Sequence, residues 1–253
     1  MASPEAECPK TVVCFGDSNT WGAWGHADKQ GQRIPYYARW TTILQRRLGN
    51  GVSVVPEGLN GRTTVLDDPV SFLNSLPDTG TVNGSRYLPA CLHSHKPIDL
   101  VVLGLGANDV KTRFSLSPAE IAKGCLMLIR MIKTSGCGPG GAPPALVLLS
   151  PPAMRLVEMH DDFGPHRAAR SLAVIEAYRR LAEEEGAEFV SLADVPTSED
   201  GLHFDVEASA AIGGLVARAA ARALGTGPLQ EPGAEPGPGA PKRPRREADR
   251  VAS

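Results

Sequence analysis

Apolar residues cluster in five short runs, Thr11–Phe15, Val52–Val55, Leu100–Leu105, Ala145–Leu149 and Glu188–Leu192. Runs of this length, rich in Val and Leu, predict parallel strands buried on both faces. Between them the pattern changes to helical spacing. Arg39–Leu48 places Trp40, Ile43, Leu44 and Leu48 on one side. Ser117-Pro118-Ala119-Glu120 is a capping box with proline at the first helical position, opening a helix to about Lys133. Pro165–Glu185 carries Leu172, Ile175, Tyr178 and Leu181 opposite its charges, and Asp205–Leu224 is an Ala-rich closing helix. Strands alternating with helices predict an α/β fold: a five-stranded parallel sheet covered on both faces, with any site at the carboxyl ends of the strands.

Composition narrows the function classes. The chain has 253 residues, 42% hydrophobic and 21% charged, enough for one sizeable core. A net charge of −2 gives no field that would draw nucleic acid or an anionic membrane as the main partner. Five cysteines, with no C-x-x-C spacing, argue against a disulfide framework or a zinc site and fit a reducing compartment. Met1–Lys10 lacks the apolar core of a secretory signal, and no apolar run reaches bilayer-spanning length, so a cytoplasmic location is expected. The organisation read from these patterns is an extension over residues 1–10, a domain over 11–224 and a tail over 225–253. The tail is rich in Pro and Gly, then basic at Lys242-Arg243-Pro244-Arg245-Arg246. Its composition cannot offset the entropy of ordering and reads as a solvated tail, with a nucleic-acid or targeting role as the alternative.

Three separated stretches carry residue types that make chemical sense together. Ser18, in Gly16-Asp17-Ser18, follows the first strand, where a turn can lift its hydroxyl into a cleft. Asp200, in Asp200-Gly201-Leu202-His203, lies three residues ahead of His203 and can fix its tautomer, leaving the other ring nitrogen to take the serine proton. Asn108, in Gly106-Ala107-Asn108-Asp109, can offer its amide to a developing oxyanion, or can simply hold a turn. Asp17 reads as a cap or loop-tying carboxylate. Trp21 and Trp24, just past the nucleophile, are candidates for an apolar pocket wall or for plain packing, whereas Trp40 belongs to a core pattern. His26 either lines the pocket or sits in a solvated loop. His93 and His95 share H-x-H spacing without a third ligand nearby and read as surface residues; His160 and His166 flank Asp161 and Asp162 in a polar loop. No metal site is assigned.

These blocks, in this order, resemble the SGNH-hydrolase superfamily, the GDSL esterases. The likeness is nearest to a bacterial arylesterase and acyltransferase branch, through Cys14-Phe15-Gly16-Asp17-Ser18-Asn19-Thr20-Trp21-Gly22 and Glu57-Gly58-Leu59-Asn60-Gly61-Arg62-Thr63-Thr64, followed by Asp67-Asp68-Pro69. It spans roughly residues 10 to 224. The resemblance implies a flavodoxin-like three-layer α/β/α sandwich and a Ser18–His203–Asp200 triad. It also implies an oxyanion hole of the Ser18 and Gly61 backbone N–H groups with the Asn108 side chain. It implies hydrolysis of small short-acyl or aryl esters through an acyl-enzyme, without metal or organic cofactor, by a homo-oligomer. Acyl transfer, carbohydrate O-deacetylation, or a non-catalytic ligand-binding domain of the same fold are the alternatives. Asn19 stands where the family's name implies Leu and is expected to shape the substrate pocket with Trp21 and Trp24. Val70–Ser85 is longer, and Met154–His166 shorter, than in that branch, which bears on substrate choice.

Overall fold

A computed structural model describes residues 8–70, 81–157, 161–226 and Leu229. Most of the tail, the first seven residues, His160 and much of the Val70–Ser85 segment lie outside that range. Five strands, β1 (Lys10–Gly16), β2 (Val52–Gly58), β3 (Leu100–Gly104), β4 (Ala145–Leu149) and β5 (Glu188–Val190), form one parallel sheet in the order β2-β1-β3-β4-β5. The helices are α1 (Ser18–Trp21), α2 (Trp40–Leu48), α3 (Gly84–His95), α4 (Pro118–Thr134), α5 (Arg167–Glu185) and α6 (Val206–Leu224).

Why the strand runs are continuous is visible in the two cores. Val13 and Phe15 of β1, Val101 and Leu103 of β3, and Leu146 and Leu148 of β4 pack under α3, α4 and α5. Their neighbours Val12 and Cys14, Leu100 and Val102, and Val147 and Leu149 pack on the other face, against α2 and α6. Both sides of the pleat are buried, so both parities must be apolar. Each fully buried Val, Leu or Ile removed from water contributes about 1.5–3 kcal/mol, before the entropy of ordering is set against it. This is the expected three-layer sandwich. Among the described residues no helix is long and apolar enough to cross a membrane.

Several details differ from the pattern-based expectation. Strand β2 runs on to Gly58 through Pro56; it is an edge strand, where a missing N–H is tolerated. Strand β5 stops at Val190, because Leu192 N bonds the Ser150 hydroxyl in place of a ladder carbonyl. Helix α3 was not anticipated. Gly84 and Pro89 mask it, yet Leu88, Cys91 and Leu92 bury one face, and Asn83 caps it by accepting from Ser85 N. In α5 the buried stripe is Ser171, Val174, Ile175, Tyr178, Leu181 and Ala182, whereas Leu172 is exposed at the margin of that face. The capping box at Ser117 and Glu120 forms as its spacing predicts, with both reciprocal bonds present.

In this strand order the chain leaves β1 for β2 on one side and returns to β3 on the other. The crevice beyond the carboxyl ends of β1, β2 and β3 is therefore a topological switch point, the place where open parallel sheets hold ligands.

Candidate active site

Ser18 enters that crevice directly from β1. The strand ends at Gly16, and Asp17 caps the short helix α1, its side chain accepting from Asn19 N at 2.9 Å. Ser18 is thereby the first helical residue, buried except for a small exposed fraction of 8%. Asp17 is the cap its position suggested. Burial pushes its carboxyl up to about 6, against the lowering influence of the Asn19 N–H, His203 and Arg62.

The loop after β5 brings the base. Ser198 N donates to His203 O (2.7 Å) and Gly201 N to Ser198 O (3.0 Å), a tight turn that folds Asp200 back beside His203. Asp200 Oδ1 accepts the backbone N–H groups of Leu202 and His203, each at 2.9 Å, and Oδ2 lies 2.6 Å from His203 Nδ1. An acceptor-only carboxylate at that distance keeps the proton on Nδ1. Nε2 is left as the acceptor, and it stands 2.8 Å from Ser18 Oγ. Relay geometry from carboxylate to hydroxyl is unbroken.

Candidate oxyanion donors come from two further loops. Gly61 sits after β2 with φ +79°, a left-handed conformation that favours glycine, in a turn closed by Arg62 N donating to Leu59 O (3.1 Å). Asn108 follows β3 in a single 3-10 turn; one N–H of its amide donates to Arg62 O at 3.0 Å, which orients the group and leaves its second N–H. Beneath it, Asp109 accepts from the N–H and the hydroxyl of Thr64 and is pushed up to about 6 by burial. Ser18, Gly61, Asn108, Asp200 and His203 all line one cavity of about 450 Å³.

Trp21, Trp24 and His26 line the same cavity, as the wall reading expects. Lys29 Nζ lies 4.1 Å from the Trp24 ring centroid, and His26 Nδ1 pairs with Glu199 Oε1 at 3.0 Å. Asn19 does not line it. One residue along α1 turns its side chain by roughly 100° from Ser18, so its Nδ2 lies 3.5 Å from Leu202 O and its carbonyl accepts from the core residue Trp40. Its expected place in the substrate pocket is corrected accordingly. His95 also departs from its surface reading: its Nε2 stands 2.7 Å from Glu57 Oε1. Glu57, Cys91 and His95 bring possible metal ligands within 4.8 Å, but Tyr87 already donates to the second Glu57 oxygen and burial pushes the Cys91 thiol up to about 12. Both oxygens of that carboxylate are thus already engaged, by His95 and Tyr87.

Sequence reasoning missed several residues here. Gly25 O accepts from Asp200 N (3.0 Å), and a side chain at 25 would meet Asp200 and Ser198. Lys111 reaches the cavity wall while paired to the fully buried Asp68 at 3.1 Å. Burial alone would raise the Asp68 carboxyl, yet its bonds to Arg113 and Lys111 outweigh that and hold it below the ordinary range. Asn60, Gln30 and Asp162 complete the polar wall. The sequence blocks that carry the resemblance contain Asn60 and Asp68 and could have signalled those two; the others meet through long-range packing.

A parallel α/β sheet whose switch point holds a Ser–His–Asp relay facing N–H donors is the arrangement of a serine hydrolase. Comparison with known proteins agrees. Residues 14–211 match the model of the GDSL-like lipase/acylhydrolase family, and the chain belongs to that family. Among solved structures, a carbohydrate acetylesterase from Sinorhizobium meliloti is 34% identical with a TM-score of 0.76, the match covering 84% of this chain and 99% of that one. An aryl esterase from M. smegmatis is 32% identical with a TM-score of 0.76, covering 85% and 100%. No curated protein sequence matches significantly.

Proposed function

We propose that this protein is a serine esterase that hydrolyses small carboxylic esters, of short acyl groups or aryl alcohols, through an acyl-enzyme. The observation that carries the proposal is the unbroken relay from Asp200 through His203 to Ser18 (2.6 and 2.8 Å) at the edge of the cavity. His203 Nε2 takes the hydroxyl proton as Ser18 Oγ attacks the ester carbonyl. The tetrahedral oxyanion is received by the Ser18 and Gly61 N–H groups and the second N–H of Asn108, and Asp200 stabilises the imidazolium. His203 then gives its proton to the leaving alcohol. A water, deprotonated by the same imidazole, attacks the acyl-serine and restores the enzyme while releasing the acid. The residues on this path need no metal or organic cofactor.

One observation favours a second reading of the leaving group. Asn60 Oδ1 is buried without a hydrogen-bond partner, and Asn60, Gln30 and Lys111 line the cavity beside two tryptophans. Amides and a cation next to aromatic faces suit a polyhydroxylated alcohol, which agrees with the likeness to a carbohydrate acetylesterase. Deacetylation of a sugar ester, or transfer of the acyl group to a sugar hydroxyl, uses the same acyl-enzyme. We place the protein in the cytoplasm; five free cysteines, four of them buried, support a reducing compartment.

Nitrophenyl esters from acetyl to octanoyl, run beside acetylated sugars, test this reading. Trp21 and Trp24 narrow the cavity that holds Ser18, and on this reading short acyl groups fit it best, so acetyl and butyryl esters should have the higher kcat/KM. A preference for octanoyl or longer chains overturns the pocket assignment, and no hydrolysis of any member overturns the esterase itself.

A further inference from the structure

Arg62 is a buried cation (3% exposed) that among the described residues makes no ion pair, and its Nε has no acceptor. Taking a guanidinium out of water without a carboxylate partner is costly, so what it holds is informative. Its Nη1 donates to Gly16 O, the last residue of β1, at 2.9 Å, and to Glu57 O near the end of β2. Its Cζ lies 4.3 Å from the Phe15 ring centroid and 5.2 Å from that of Tyr87, two aromatic faces that attract a cation. Side chain and main chain then act on different partners. The Arg62 N–H closes the turn that presents Gly61, and the Arg62 carbonyl holds the Asn108 amide at 3.0 Å. Gly16 is two residues from the nucleophile. One residue thus joins the three loops that carry the oxyanion donors.

We propose that Arg62 is a positioning residue for the oxyanion hole: its guanidinium locks the turn of residues 59–62 onto the ends of β1 and β2, and so sets where the Gly61 N–H and the Asn108 amide point. It touches no substrate. This rests on the serine-esterase reading and adds a determinant of turnover to it. Lysine is a poor substitute, because its ammonium lacks the planar guanidinium face that lies against the Phe15 and Tyr87 rings while Nη1 holds the two carbonyls.

The test uses the full chain, nitrophenyl acetate, and melting curves to confirm folding. Arg62→Lys should lower kcat by about 10- to 100-fold with KM within about twofold, since donors displaced by a fraction of an ångström lose transition-state stabilisation and not ground-state binding. Tyr87→Leu, at a position 39% exposed and away from the cavity, removes one face of the clamp and should lower kcat by about 3- to 10-fold. In an Asn108→Ala background either change should cost much less than in the wild type, because part of what Arg62 positions is already gone. If Arg62→Lys does not fold, Tyr87→Leu alone decides. Wild-type kcat in the folded variants, or losses that multiply fully with Asn108→Ala, overturn the inference while an active wild type leaves the esterase reading standing. An intact protein that hydrolyses no ester and resists labelling at Ser18 overturns both.

Discussion

Gly25 offers a sharp test of how closely the triad is held. A β-carbon there would stand 2.6 Å from Ser198 Cβ, 2.8 Å from Asp200 Oδ1 and 3.0 Å from Asp200 Cγ. Ordinary contact begins at 3.4 Å, so Gly25→Ala is short of room by about 0.8 Å. The clashing atoms belong to side chains, but the two loops are also tied through their backbones, because Gly25 O accepts from Asp200 N. Either the loop bearing Trp24 and His26 moves outward or the carboxylate moves, and the carboxylate's three bonds to Leu202, His203 N and His203 Nδ1 move with it. A displacement approaching 1 Å in a catalytic constellation costs about 10²-fold in turnover, and overpacking of this kind costs about 1–3 kcal/mol of stability. Steady-state kinetics on nitrophenyl acetate, paired with urea unfolding, should show kcat down by about that factor in a protein still folded at 25 °C. A folded Gly25→Ala protein with kcat within about threefold of wild type refutes the reasoning, since Asp200 would then have slack that the geometry denies.

Other outcomes follow from the same geometry. Asp17→Asn keeps a good helix cap but removes a carboxyl whose folded pKa, about 6, is raised above its ordinary 3.8 by burial. Between those values the folded state holds a proton the unfolded state has released, so wild-type stability falls as pH rises through about 4 to 6. The variant's stability relative to wild type should therefore rise across that window by on the order of 2–3 kcal/mol; a difference flat with pH, from urea midpoints at pH 4 and 7.5, counts against it. Asn108→Ala should lose about 10²- to 10³-fold in kcat by removing one oxyanion donor, and a defect seen only in melting would make Asn108 a turn residue. Asp200→Asn and His203→Ala should each be severe and add little to Ser18→Ala, because the three act as a unit; multiplicative losses in the double variants would separate their roles.

Much of this architecture was legible because it rests on strong local patterns. Val12 to Phe15, Leu100 to Leu103 and Leu146 to Leu149 are apolar at every position, which only strands covered on both faces require. Ser18, Asn108 and His203 sit in short blocks whose residue types have one obvious joint use. What stayed hidden depends on approach from far along the chain. Gly25 reads as any loop glycine until Asp200 is placed against it, and Arg62 stands in the Gly61 block without a role until Phe15 and Tyr87 are seen to lie against it. Asn19 was misplaced because a helical turn starts at Ser18, which carries the adjacent side chain out of the cleft. Helix α3 was obscured by its own Pro89, whose missing N–H is outweighed by the burial of Leu88, Cys91 and Leu92.

The most direct measurement is reaction of the intact protein with a fluorophosphonate, followed by peptide mass spectrometry and an ester assay. A phosphonyl group bonded to Ser18 Oγ mimics the tetrahedral intermediate and needs both the His203 base and the oxyanion donors to form quickly. The account predicts stoichiometric labelling at Ser18 with parallel loss of esterase activity, no labelling of Ser18→Ala, and labelling slowed by orders of magnitude in His203→Ala. Esterase activity persisting in Ser18→Ala, or a wild-type protein that hydrolyses esters while Ser18 stays unlabelled, would contradict it.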